Sequence, residues 1–136
     1  MAQVEIILTD ASVDVNDETI TIENGSLTFV EGQGETTVRS ASNGGRPVIV
    51  PTVDIGTMIG KIKFDTPSSI QSMNFFRDVK ARPIASNVVR VSGTDAAGNR
   101  LGRTLTAASL MSDPEKAIQT DGKFTVDFEG APLVVS

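Results

Sequence analysis

Few residues of this chain are of types that do chemistry. Its 136 residues include no His, Cys, Trp or Tyr. Without His there is no side chain whose ordinary pKa lies near neutrality and no imidazole to hold a metal. Without Cys there is no thiolate nucleophile, disulfide framework or thiolate metal site, and Ser nucleophiles usually need a base such as His. What remains is carboxylate chemistry, either an acid/base pair of the glycosidase kind or a cation loop. Asp14-Val15-Asn16-Asp17-Glu18 opens like a calcium loop, but its sixth position is Thr19 rather than Gly and its twelfth is Gly25 rather than Glu. It reads as a turn. Gly32-Gln33-Gly34 lacks the further glycine and following helix of a dinucleotide loop. Asn24-Gly25-Ser26 is a glycosylation sequon only in an exported chain.

No carboxylate pair stands out as an acid/base couple, and the only aromatics are six Phe, a poor set for stacking on sugars or bases. The expectation is therefore a protein that is not an enzyme and carries no cofactor or metal. A monomeric β-sandwich binding or decoration module and a carboxylate-only hydrolase are the competing readings.

The charges are segregated. Residues 1–38 hold Glu5, Asp10, Asp14, Asp17, Glu18, Glu23, Glu31 and Glu35 with no Lys or Arg. From Lys61 to Arg103, eight basic residues meet only Asp65, Asp78 and Asp95. Such a pattern suits a subunit that meets its own copies head to tail, opposite patches fixing the register. A net charge of −5 does not suit a protein that grips nucleic-acid phosphates. The start, Met1-Ala2-Gln3-Val4-Glu5, lacks the basic and apolar regions of a signal peptide. No apolar run approaches the roughly 20 residues that span a bilayer. A soluble protein that is neither exported by that route nor inserted in a membrane is expected.

The elements that must position these residues are mostly strands, read from period-two alternation and turn signals. Val4, Ile6 and Leu8 alternate, as do Ile20 and Ile22, then Leu27 and Phe29 across Asn24-Gly25. That dipeptide predicts a hairpin over 19–30. A strand follows over 35–41. Residues 42–54 change character: Ser42-Asn43-Gly44-Gly45-Arg46-Pro47 reads as flexible, and Val48-Ile49-Val50 is bracketed by Pro47 and Pro51, which suits a loop or an edge. This extended loop is either a long connection tucking 48–50 onto the core or an interaction arm made of Asn43, Gly44, Gly45, Arg46, Pro47, Val48, Ile49 and Val50.

A strand over 55–64 carries Ile62 and Phe64 on one face and Lys61 and Lys63 on the other. A helix over about 67–82 should open at Pro67, capped by Asp65 or Thr66, and stop before Pro83. Its expected core face is Ile70, Met73, Phe76 and Val79. Strands around Val89 and Val91 and over 100–108 are joined by a turn at 95–99, with Gly98 or Asn99 left-handed. One capped helical turn over 112–116, a turn at Asp121-Gly122 and a strand over 123–129 follow. Phe124, Val126 and Phe128 share a face of that strand, opposite Thr125, Asp127 and Glu129. Gly130-Ala131-Pro132 ends it before Leu133-Val134-Val135.

The order of these elements resembles a tail tube protein of tailed bacteriophages. The stretch that carries the resemblance most is Leu105-Thr-Ala-Ala-Ser-Leu-Met-Ser-Asp-Pro-Glu-Lys-Ala-Ile-Gln-Thr-Asp-Gly-Lys-Phe-Thr-Val-Asp-Phe-Glu-Gly130, which looks like the C-terminal strand, turn and strand of small tube proteins. The resemblance implies one mainly β domain over 1–136, a two-sheet sandwich or barrel flanked by one helix. It implies that six copies close a ring, rings stack, and viral DNA passes through the hollow tube without specific binding. The loop at 42–54 would then be the arm reaching the neighbouring ring. Thr19, Thr21, Glu23, Asp127 and Glu129 are the candidates for an acidic, lumen-facing wall. Partners implied are further copies of the chain, a tape measure protein, a tail terminator, baseplate or tip proteins and, in a contractile tail, a sheath protein. The implied location is the virion tail, with assembly in the host cytoplasm.

Overall fold

A computed structural model of the chain describes residues 5–83, 86–118 and 122–135. In chain order the elements are β1 (Glu5–Ile7), β2 (Thr9–Val15), β3 (Glu18–Ile20), β4 (Thr28–Val30), β5 (Glu35–Asn43) and β6 (Arg46–Asp54). A 3₁₀ turn (Ile55–Met58), β7 (Gly60–Pro67), α1 (Ile70–Ala81), β8 (Val89–Thr94) and β9 (Arg100–Leu105) come next. The chain closes with β10 (Ser109–Leu110), a second 3₁₀ turn (Pro114–Ile118), β11 (Lys123–Gly130) and β12 (Val134–Val135). The expected strand start at Val4 and the Asp121 half of a turn lie outside the described residues.

Ten strands form two antiparallel sheets, β1-β4-β7-β11-β10 and β12-β9-β8-β2-β3, while β5 and β6 make a two-stranded sheet of their own. The protein is mainly β with one helix, an open sandwich and not a closed barrel. Alternation explains the layers. Ile62 and Phe64 of β7 and Phe124, Val126 and Phe128 of β11 are buried. Val13 and Val15 of β2 and Val89 and Val91 of β8 close on them from the other sheet. Each such side chain contributes on the order of 2 kcal/mol by leaving water. The Phe64 and Phe128 rings stack at 6.5 Å.

The hairpin expected over 19–30 does not form. Asn24-Gly25 is a turn, with Gly25 at φ +77° and Ser26 N–H donating to Glu23 O at 3.2 Å. Its two flanks, however, enter different sheets: β3 pairs β2, and β4 sits between β1 and β7. Contacts from the end of β7 decide this. Glu23 N–H donates to Asp65 O at 2.7 Å, Asp65 N–H to Ser26 Oγ at 3.1 Å and Thr66 Oγ1 to Thr21 O at 2.6 Å. The two-residue hairpin is instead at Asn16-Asp17, both residues left-handed at φ 50° and 69°, which Asn and Asp tolerate.

The helix also starts later than expected. Pro67 ends β7 opposite Lys123, and the N-cap is Ser69, whose Oγ accepts from Ser72 N–H at 3.0 Å. The end is as expected, Arg82 turning extended (φ −67°, ψ 151°) before Pro83. Phe76 and Val79 are buried and Met73 packs on the core, but Ile70 is 68% exposed. Its spacing explains why. A step of three residues turns about 300°, so a stripe drawn at i, i+3, i+6, i+9 drifts until its ends face about 180° apart. The ring of Phe76 meets Phe124 at 5.6 Å and Phe128 at 6.5 Å, docking α1 on β11.

One buried polar side chain joins the layers. Asn87 Nδ2 donates to Val79 O at 3.0 Å and to Ala108 O at 3.2 Å, and its Oδ1 accepts from Asn16 Nδ2 at 3.0 Å. Asn16 Oδ1 in turn accepts from Val88 N–H at 2.9 Å. The helix end, the approach to β10 and the β2–β3 turn are thereby pinned to one point. Asn87→Ala should lower stability by roughly 3 kcal/mol, since it strands buried partners, whereas Ile70→Ala should stay within about 0.5 kcal/mol. Urea titrations of the two variants check both values.

Candidate functional site

The arm residues 43–50 belong to a long hairpin, not to a loop. β5 and β6 are nine residues each and pair in unbroken register from Asn43/Arg46 to Glu35/Asp54. Gly44 and Gly45, at φ 61° and 83°, form the two-residue turn, which requires left-handed geometry at both positions. The prolines do not break it. In a hairpin closed by such a turn, bonded and non-bonded pairs alternate from a bonded pair at the turn. Pro47 and Pro51 stand opposite Ser42 and Val38, both at non-bonded positions, where the missing N–H would have pointed outward. The expectation of a flexible loop is corrected to that extent: the prolines mark an edge strand.

At about 3.4 Å per residue the strands run about 30 Å. Among the described residues neither pairs with any other strand, and Ile49 is 71% exposed. The base is fixed to the sandwich. Gly34 N–H donates to Thr57 O at 3.0 Å. Gly32, at φ +73°, lies so close to the backbone that a Cβ there would meet Ile59 C at 2.5 Å.

The five residues singled out for an acidic wall do not share a face. Thr19 is an exposed residue of β3, its Oγ1 donating to Asp14 Oδ1 at 2.8 Å, and Thr21 and Glu23, also exposed, follow that strand. Asp127 and Glu129 lie on β11 in the other sheet, opposite Lys63 and Lys61. Lys61 Nζ stands 3.4 Å from Glu129 Oε1, and Thr125 Oγ1 donates to Asp65 Oδ1 at 2.7 Å. This outer face alternates three lysines (Lys61, Lys63, Lys123) with three carboxylates (Asp65, Asp127, Glu129). Partial burial and then the neighbouring Glu129 push the Asp127 carboxyl above the usual aspartate range, against the pull of Lys63 and Lys61.

The charge segregation of the sequence is partly consumed inside the fold. Arg103 Nε donates to Glu31 Oε1 at 2.6 Å, a mostly buried pair, and Arg90 Nη1 bonds Asp17 Oδ1 at 3.1 Å.

A feature the sequence did not announce is a groove between β3 and α1. A hollow of about 310 Å³ is lined by Thr19, Thr21, Pro67, Gln71 and Phe75 among others. Beyond Phe75 a second, of about 250 Å³, is lined by Glu18, Asp78 and Arg82 with residues of β2. No local signal marks it, because its walls come from segments some fifty residues apart in the chain.

Among the described residues no group of His, Cys, Asp and Glu is placed to hold a metal ion, and no helix is long and apolar enough to cross a membrane. Compared with known proteins, the chain matches no family model and no curated protein.

Asp127 gives a signed pH dependence. Its folded pKa lies above the ordinary 3.8, so the folded state binds the proton more tightly and stability falls as pH rises through that interval. Asp127→Asn should therefore unfold at higher urea than the parent at pH 7. The gap should close as pH falls below the ordinary value, which chemical denaturation across a pH series measures.

Proposed function

We propose that this chain is a structural subunit that assembles with copies of itself into stacked rings, six to a ring. In the tail tube it resembles, these rings form the conduit through which viral DNA passes. One observation carries the reading. The edge strand β10 has only two residues, the usual protection against stray pairing. Against that background the nine-residue strands β5 and β6 pair only with each other among the described residues, leaving the outer edge of each open. A long open hairpin is a hazard in a monomer and a connector in a polymer.

The base supports the same reading, since Gly34 closes the hairpin's two flanks on each other through Thr57 and Gly32 packs on the backbone at Ile59 and Gly60, where β7 begins. For the conduit wall, Thr19 lies in one sheet and Asp127 and Glu129 in the other, so these three do not line one wall together.

The test is negative-stain electron microscopy over a concentration series, with a trimmed arm as comparison. Replacing residues 38–51 by Asn-Gly leaves Thr37 and Thr52, already partners, flanking a two-residue turn. The parent should form rings or hollow tubes. The trimmed chain should keep its melting temperature within about 3 °C, as a surface change does, and form no tubes. Normal tubes from the trimmed chain would remove the arm's role, and a parent that stays monomeric throughout would favour a binding module.

A further inference from the structure

We propose that the groove between β3 and α1 receives the β5–β6 hairpin of a second copy of this chain as an added strand. The inference rests on the self-assembly reading above and names the surface that accepts the arm.

The acceptor is an edge with free backbone groups. β3 is the last strand of its sheet, and its ladder with β2 starts from the two-residue turn at Asn16-Asp17. The Val15/Glu18 and Val13/Ile20 pairs therefore exchange bonds with each other, and Thr19 between them aims its N–H and C=O away from β2. The groove opens on that side, with α1 as its far wall and Phe75 between its two hollows. An edge strand facing a helix across an open trough is the geometry in which an extended segment adds to a sheet, main-chain bonds giving affinity and side-chain pockets register. Phe75, partly buried and edge-on to Phe76 at 5.1 Å, offers the trough an apolar surface.

The occupant follows from what the rest of the chain offers. Among the described residues the hairpin has two unpaired edges, and Ile49 is exposed. Between Glu35 and Asp54 its only charged residues are Arg39 and Arg46. On the acceptor side β2, β3 and the residues joining and following them carry Asp10, Asp14, Asp17, Glu18 and Glu23; Arg90 takes Asp17 and Arg82 lines the second hollow with Glu18 and Asp78, so the charged lining of the groove stays net negative. Opposite charge on donor and acceptor favours this pairing over arm with arm.

Placement points to a second copy. The hairpin base is held beside Ile59 and Gly60, at the start of β7, and the groove is bounded by Thr66 and Pro67, at its end. The hairpin's base and the groove thus lie about 20 Å apart at opposite ends of β7, and among the described residues the hairpin pairs with no other strand of its own copy. That is a head-to-tail arrangement, which repeats along an axis.

The experiment places a photo-crosslinking amino acid at Gln71, an exposed helix position in the groove, in the otherwise full chain. Equal amounts of isotopically heavy and light protein are assembled, irradiated and mapped by mass spectrometry. The expected product is a heavy–light crosslink joining position 71 to residues 35–54. Thr19→Pro, which removes the outward N–H as well as the Oγ1 bond to Asp14, should cut its yield at least tenfold, with Thr19→Ala, which loses that side-chain bond alone, near the parent. Should Thr19→Pro fail to fold, the crosslink map alone decides. Assemblies crosslinked from position 71 to another segment of a neighbour, or only within one copy, would overturn the groove while leaving self-assembly standing. A chain with no assemblies and no intermolecular crosslink at any concentration removes both.

Discussion

The structure turns on one amide. Asn87 is buried, and its donors and acceptor reach the end of α1, the link before β10 and the β2–β3 turn. Hydrophobic contact alone is non-directional and would let α1 slide along β11. An amide whose bonds are all made fixes the helix at one position and turns loose packing into one arrangement. The turn it holds sets the ladder of β3, and the helix it holds is the far wall of the groove. The site and the core therefore share a single point of registration.

Much of the fold was legible because period two reports a strand and its buried face directly. Phe124, Val126 and Phe128 lie inward with Thr125 and Asp127 outward, and Ile62 and Phe64 oppose Lys61 and Lys63 in the same way. Alternation says nothing about partners. Asn24-Gly25 carries the strongest local hairpin signal, yet bonds from Asp65 and Thr66, some forty residues on, send its flanks into separate sheets. The helix was legible as a helix, but a spacing of three cannot hold one face, and Ile70 went to solvent.

The candidate site was legible in part. Two prolines and two glycines marked 42–54 as unusual, and they read as a loop because a proline's effect depends on which way its N–H would have pointed. That direction is a property of the register, which the turn at Gly44-Gly45 sets. Asn87 carried no signal, since a buried, satisfied amide and a solvated one are written with the same letter. The charge pattern was visible, but Arg103 and Arg90 spend part of it on Glu31 and Asp17 inside the molecule.

The hairpin's arithmetic has a consequence for size. Its turn demands a bonded pair on each side, and the Glu35/Asp54 pair at the base is, by the same alternation, also bonded. A single residue inserted in either strand would throw every later side chain to the opposite face. Length can therefore change only by two residues in each strand at once, about 7 Å. Hairpins of this design come in graduated lengths, like the rungs of a ladder, and their reach is drawn from that discrete scale.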